Sequence, residues 1–216
     1  MINIYPSLIA TNQQKLDNEI KLLEPHCAGF HLDVMDTIFV PNSALSIDTV
    51  NTIAQRGNPV WVHLMVKNPD AFYTQFFLPT DSIISFHIES EIDVVSFSKI
   101  IREKKHKASI AINPKTPLER IIPFCNIVDQ ILVMSVNPGF SGQPFLKNSF
   151  EKIAKLVEYR QQQKFFFRIG VDGGIDATNI KQLIEIGVDD CAIGSGIFKQ
   201  ADHIAALQEL QQIGGK

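Results

Sequence analysis

The stretch HLDVMD, residues 31–36, decides how the rest of the chain is read. His31, Asp33 and Met35 fall at every second position, with Leu32 and Val34 between them. A period of two is the strand signature, so the histidine, the acid and the methionine share one face and the two aliphatics the other. The run VWVHLMV (60–66) repeats the pattern, with Trp61, His63 and Met65 alternating with Val60, Val62, Leu64 and Val66. Working outward, further short apolar, β-branched runs appear: NIYPSL (3–8), SIISFHI (82–88), ASIAIN (108–113), QILVMSV (130–136), FRIGVD (167–172) and CAIGS (191–195), which makes eight.

Between and after these runs lie segments with helical spacing of apolar residues. Six stand out, marked by Leu16, Ile20 and Leu23; by Ile47, Val50 and Ile53; by Val94, Phe97, Ile100 and Ile101; by Phe150, Ile153, Leu156 and Val157; by Ile180, Leu183 and Ile184; and by Ile204, Leu207 and Leu210. Asp176-Ala-Thr-Asn resembles a helix start and Gly187 a helix stop. The segments 69–78 and 117–124 are less clear, and Pro123 would shorten the second. Strand–helix alternation repeated eight times predicts an α/β fold, a (β/α)8 TIM barrel, with residues 1–216 as a single domain. In such barrels the site lies at the C-terminal ends of the strands. Polar residues near the ends of the runs are therefore the candidates.

The inward set of the second run carries His31 and Asp33, the third run His63, the fourth His87 and Glu89, and the seventh ends on Asp172. Unpaired buried carboxylates and imidazoles each cost several kcal/mol, roughly. A divalent cation satisfies such a set, and two histidines with two carboxylates from three strands suit Zn²⁺ or a similar first-row ion. His31, Asp33, His63 and Asp172 are the expected ligands, with His87 and Glu89 behind them or simply packed. One histidine alone on such a run would more often be an ordinary hydrogen-bonded core residue. His26, His106 and His203 fall in loop or helix-surface contexts and are expected to be solvated.

A carboxylate beside a cation is ordinarily a weak base. It becomes useful when the proton to be removed lies on a carbon next to a metal-bound carbonyl. Asp33 and Asp172, from strands on different sides of a barrel, could take a proton from one face of that carbon and return one to the other, as an epimerase requires. Glycine stretches follow the last three runs: NPGFSG (137–142), VDGGI (171–175) and IGSG (193–196). Glycines let backbone N–H groups approach an anion, and the loops after strands 7 and 8 of these barrels often hold phosphate. Met35, Met65 and Met134 are core filling when taken singly; together they could form an apolar ring over the reacting carbon.

The 216 residues are 45% hydrophobic with a formal charge of −3, enough for one sizeable core and without the basic block that nucleic acid would need. MINIYPSLIA does not read as a signal peptide, and no apolar run reaches the ~18 residues of a membrane span. Cys27, Cys125 and Cys191 are odd in number and far apart, and are expected to be reduced. These features predict a cytoplasmic protein with neither nucleic acid nor membrane as partner.

The chain resembles the ribulose-phosphate 3-epimerase family over nearly its whole length. The resemblance is carried by PSL (6–8), HLDVMD with FVPN (39–42), HLMV (63–66), HIE (87–89), NPKTP (113–117), VMSVNPGFSGQPF (133–145), VDGGI (171–175) and GSGIF (194–198). It implies a (β/α)8 barrel that interconverts D-ribulose 5-phosphate and D-xylulose 5-phosphate at C3, in the pentose phosphate pathway. It implies one divalent metal, Zn²⁺ foremost, with Fe²⁺, Mn²⁺ or Co²⁺ as alternatives, on His31, Asp33, His63 and Asp172, with Asp33 and Asp172 as the two acid/bases. Ser7, His63, the methionines, Gly139, Phe140, Ser141, Gly142, Gly173, Gly174, Gly194 and Ser195 would contact the sugar phosphate. A homo-oligomer, dimer or hexamer, is also implied. The chain departs from the family where MDG is usual, having Thr37 and then Ile38, and where GFGG is usual, having Ser141. A ketohexose phosphate such as D-allulose 6-phosphate stays open as substrate, as does a barrel that binds a sugar phosphate without turning it over. Barrel enzymes that rely on a lysine base fit less well, since Lys67 alone ends one of the first four runs.

Overall fold

The computed structural model describes residues 2–215, apart from the side chain of Gln13. Among the described residues there are eight strands: β1 Asn3–Pro6, β2 His31–Met35, β3 Trp61–Met65, β4 Ile83–His87, β5 Lys107–Ile112, β6 Gln130–Met134, β7 Arg168–Asp172 and β8 Asp190–Ile193. All neighbours pair in parallel, in the order β1-β8-β7-β6-β5-β4-β3-β2. A single bridge between Ser7 and His31 links the two ends of that order, so the sheet curls into a nearly closed single-domain barrel.

The six helical segments form α1 Leu16–Leu23, α2 Ile47–Ala54, α4 Val94–Glu103, α5 Asn148–Gln163, α6 Ile180–Ile186 and α8 His203–Gly214. Their ends follow from capping chemistry. Ser46, Asp93 and Asp202 accept hydrogen bonds from the first free N–H groups of α2, α4 and α8, and Gly187 takes the left-handed turn that stops α6. The two unclear segments are short. Residues 69–78 supply α3 Pro69–Tyr73, and 117–124 two 3₁₀ turns, Leu118–Arg120 and Ile122–Phe124, with Pro123 opening the second. A further helix, α7 Ser195–Phe198, follows β8 directly. Among the described residues no helix is long and apolar enough to cross a membrane.

The period of two sorts side chains between two cores. Leu32, Val34, Val62 and Leu64 join the large cluster that includes Leu23, Val50 and Phe97 from the helices. Trp61, Ile83, Leu132, Met134 and Ala192 fill the barrel interior. At the N-terminal end of the strands the interior is polar and fully bonded. Trp61 Nε1 donates to Ser85 Oγ (2.7 Å), Ser85 to Ser109 (2.8 Å) and Ser109 to Gln130 Oε1 (2.8 Å). Gln130 Nε2 donates to Asp190 Oδ2 (2.9 Å), which also takes Arg168 Nε (2.8 Å), while Asn3 Nδ2 and Arg168 Nη2 reach Oδ1 at 2.9 and 2.6 Å. Gly170 makes room for this layer, since a Cβ there would lie 2.7 Å from the Trp61 ring.

Two of the three histidines expected to be solvated are not. His106 is 8% exposed, with Nδ1 2.7 Å from the Tyr73 hydroxyl, because α3 and the start of β5 close over it. His203 is half-buried, with Nδ1 2.7 Å from Glu19 Oε2. His26 is exposed. Cys125 and Cys191 are buried, Cys27 is half-buried, and all three are unpaired.

Candidate active site

The pairing register places Asp33 beside His63 and Met35 beside Met65, and sets Asp172 at the tip of β7. His31, Asp33, His63 and Asp172 each offer a ligand atom, and these atoms lie within 4.8 Å of one another. His63 Nδ1 is 3.1 Å from Asp33 Oδ1 and 3.6 Å from Asp172 Oδ2. Ser7 Oγ donates to Asp33 Oδ2 at 2.9 Å. His31 Nδ1 is 3.3 Å from the same oxygen, yet neither ring nitrogen of this fully buried residue has a hydrogen-bond partner. An orphaned buried imidazole beside two carboxylates is the state a cation relieves. The donor set therefore fits a divalent metal: two imidazoles and two carboxylate oxygens converging from three strands.

The charges are tightly coupled. Burial would push the Asp33 carboxyl up, but the imidazoles of His31 and His63 outweigh it and hold Asp33 well below the usual carboxylate range. Burial likewise opposes a charge on His63, and the Asp172 and Asp33 carboxylates overcome it, raising the imidazole to about 9. A cation seated there would take over this work by displacing the Nδ1 proton.

Behind His63 stands a second histidine. His63 Nε2 and His87 Nε2 are 2.9 Å apart, with the rings meeting edge to edge, centroids 5.1 Å apart and planes inclined by 23°. His87 Nδ1 is 3.1 Å from Glu89 Oε2, and Glu89 Oε1 accepts the Asn113 N–H at 3.0 Å. Burial, only partly offset by Glu89, lowers His87 to about 4. The Phe39 ring packs on His87 at 4.8 Å.

The mouth above the cluster is a cavity lined by Ser7, Asp33, Met35, Met65, Met134, Asp172 and the three glycine stretches. Every residue expected to contact substrate lines it except His63, which lies fully buried beneath with His31. Ile9, Val136, Pro138, Gln143, Ile175 and Ala192 also line it, though none was singled out from the sequence. Val136 and Ala192 had a legible signal, since they continue the inward alternation of Met134 and of β8. Gly174 has φ +64°, and a Cβ there would lie 2.4 Å from the Phe145 nitrogen, so the wall of the cavity is backbone against backbone. Asn42 Nδ2 donates to the Gly139 carbonyl at 2.8 Å, latching the loop after β2 to the loop after β6.

The loop after β2 is organised by a residue the sequence did not single out. Asp36 accepts the N–H groups of Ile38 (2.8 Å), Phe39 (2.7 Å) and Lys67 (2.6 Å). This bend puts Thr37 at φ 60°, a left-handed conformation that a β-branched residue adopts only under strain. Thr37→Gly is expected to stabilise the protein by about 0.5–1 kcal/mol net, after allowing for glycine's entropy in the unfolded chain. At this chain length that is about 1–4 °C in a thermal melt. An unchanged or lower midpoint would show that the turn is not strained.

A parallel barrel with a buried histidine–carboxylate cluster at its C-terminal mouth, lined by methionines and glycine loops, defines a (β/α)8-barrel enzyme. Comparison with known proteins narrows this. Residues 3–198 match the model of the ribulose-phosphate 3 epimerase family. The chain is 37% identical over 184 residues to ribulose-phosphate 3-epimerase of Aquifex aeolicus, covering 85% of this chain and 83% of that one. It is 34% identical over 211 residues to the Escherichia coli enzyme of the same name, covering 96% and 94%. The solved structure of 3-hexulose-6-phosphate synthase from Salmonella typhimurium superposes with a TM-score of 0.73 at 14% identity, covering 99% and 98%, a likeness of fold. The chain belongs to the ribulose-phosphate 3-epimerase family and is an epimerase of that type.

Proposed function

We propose that this protein interconverts D-ribulose 5-phosphate and D-xylulose 5-phosphate at C3, using Asp33 and Asp172 as two opposed acid/bases. The observation that carries this is the pair of carboxylates, from β2 and β7, converging on one buried cluster and both lining the cavity. His31, Asp33, His63 and Asp172 would hold one divalent ion, and first-row ions such as Zn²⁺, Fe²⁺, Mn²⁺ or Co²⁺ suit the donors. When bound, that ion supplies Lewis-acid polarisation of the substrate carbonyl, which acidifies the neighbouring C3–H.

The chain's own residues do the rest. One aspartate accepts the C3 proton on its face, and the other delivers a proton to the opposite face, inverting the carbon; reversal exchanges the roles. The two differ in environment. The Asp33 side chain is 3% exposed and held by Ser7, whereas that of Asp172 is 15% exposed and nearer solvent. Met35, Met65 and Met134 roof the site and exclude water from the reacting carbon. The N–H groups of Gly173, Gly174, Gly194 and Ser195, with Gly139 to Gly142 of the loop after β6, would take the phosphate.

The test is proton NMR of D-ribulose 5-phosphate with the protein in D₂O. Xylulose 5-phosphate carrying deuterium at C3 is expected, and chelator treatment should abolish it until a divalent ion is restored. D-allulose 6-phosphate, run in parallel, should turn over more slowly. Faster conversion of the hexulose would transfer the assignment to that sugar, and silence on both would leave a binding barrel.

A further inference from the structure

The side chains behind His63 form a directed chain that ends on a carboxylate. His63 Nε2 meets His87 Nε2 at 2.9 Å, a contact that needs one proton and only one between the two nitrogens. His87 Nδ1 faces Glu89 Oε2 at 3.1 Å, and Glu89 Oε1 is already taken by the Asn113 N–H. The loop that presents this N–H is itself pinned. Lys152 Nζ, from α5, donates to the carbonyls of Asn113, Pro114 and Thr116 at 2.9, 2.6 and 2.7 Å. None of Glu89, Asn113 or Lys152 lines the cavity, so the chain does not serve substrate contact.

A carboxylate can only accept, so it draws the His87 proton to Nδ1 and leaves His87 Nε2 bare. The bare nitrogen can only accept in turn, which places the His63 proton on Nε2. His63 Nδ1, the atom between Asp33 and Asp172, is thereby the nitrogen that gives up its proton to a metal and offers it the lone pair, while Nε2 keeps its own. We infer that Glu89, acting through His87, is a positioning residue that sets the ring orientation and proton order of His63 and so strengthens metal binding. This rests on the metal reading of the cluster given above. Backing a histidine ligand with an acceptor is a general way to orient it, and losing that acceptor typically weakens the metal about 10- to 100-fold.

Glu89→Gln inverts the order without changing size. Gln can offer its oxygen to the Asn113 N–H only by turning its NH₂ toward His87, which moves the His87 proton to Nε2 and the His63 proton to Nδ1. The experiment combines two readouts on the full chain. Zn²⁺ affinity is measured by competition with a chromophoric chelator, and the ring tautomers by long-range ¹H–¹⁵N NMR of histidine-labelled protein. In the wild type, His87 should carry its proton on Nδ1 and zinc-loaded His63 on Nε2. In Glu89→Gln the His87 proton should move to Nε2 and Zn²⁺ should bind about 10- to 100-fold more weakly.

A His87→Gln background separates positioning from general support. The Gln oxygen there can accept from His63 Nε2 without help from residue 89, so adding Glu89→Gln should change affinity less than twofold. Equal weakening in both backgrounds, no weakening in either, or a wild-type His87 protonated on Nε2 overturns the inference; the last outcome can be read even if a variant does not fold. Failure of the wild type to take up Zn²⁺ or another divalent ion would instead remove the metal reading itself.

Discussion

Asp172→Asn is expected to lower epimerisation of D-ribulose 5-phosphate by about 10³-fold or more, within the range lost when a positioned acid/base is removed. Asn keeps the shape and an oxygen toward the cluster, so with the divalent ion held saturating the loss reports on proton transfer more than on architecture. The two-carboxylate arrangement makes a sharper claim than loss of rate. Asp33 remains, with the Ser7 hydroxyl on Oδ2 and His63 on Oδ1. It can still remove the proton that faces it, but nothing on the other face can return one. In D₂O, one of the two epimers should therefore exchange its C3 proton slowly without forming product, while the other stays silent. Asp33→Asn should show the reverse preference. Epimerisation by Asp172→Asn within tenfold of wild type, or loss of exchange in both epimers alike, would contradict a division of the two faces between these residues.

The second large effect lies at the other end of the barrel. Asp190 has no exposure and gathers four donors from Asn3, Gln130 and Arg168. Removing one member of a buried charged network costs about 3–5 kcal/mol, because the groups left behind lose their partners. Here the lower end applies. Arg168 is 41% exposed on its side chain and can turn to water, whereas buried Gln130 and the serine relay behind it cannot. Asp190→Ala should thus lower stability by about 3 kcal/mol, or about 6–12 °C in the melting midpoint for a chain of this size. Below that midpoint the turnover number should stay within a few-fold of wild type, since Asp190 opens β8 whereas the cavity lies at the strands' C-terminal ends. A shift under about 2 °C would mean that the plug contributes little net stability.

Much of the site could be read from residue spacing. Period two put His31, Asp33, Met35, His63, Met65 and His87 on inward faces, and a strand tip put Asp172 at the mouth; all fall where that pattern places them. The glycine stretches and the six longer helices were legible for the same reason: turn geometry and helical amphipathicity are properties of a few consecutive residues. What local pattern could not supply was which inward side chain meets which. The pairing of His63 with His87, the burial of His106 against Tyr73, the convergence of Arg168 and Gln130 on Asp190, and the left-handed bend that Asp36 imposes on Thr37 all join positions brought together by strand register and loop packing. Alternation says only in or out. The stagger between neighbouring strands, set by the packing of the whole barrel, decides the height at which each side chain stands and therefore what it touches.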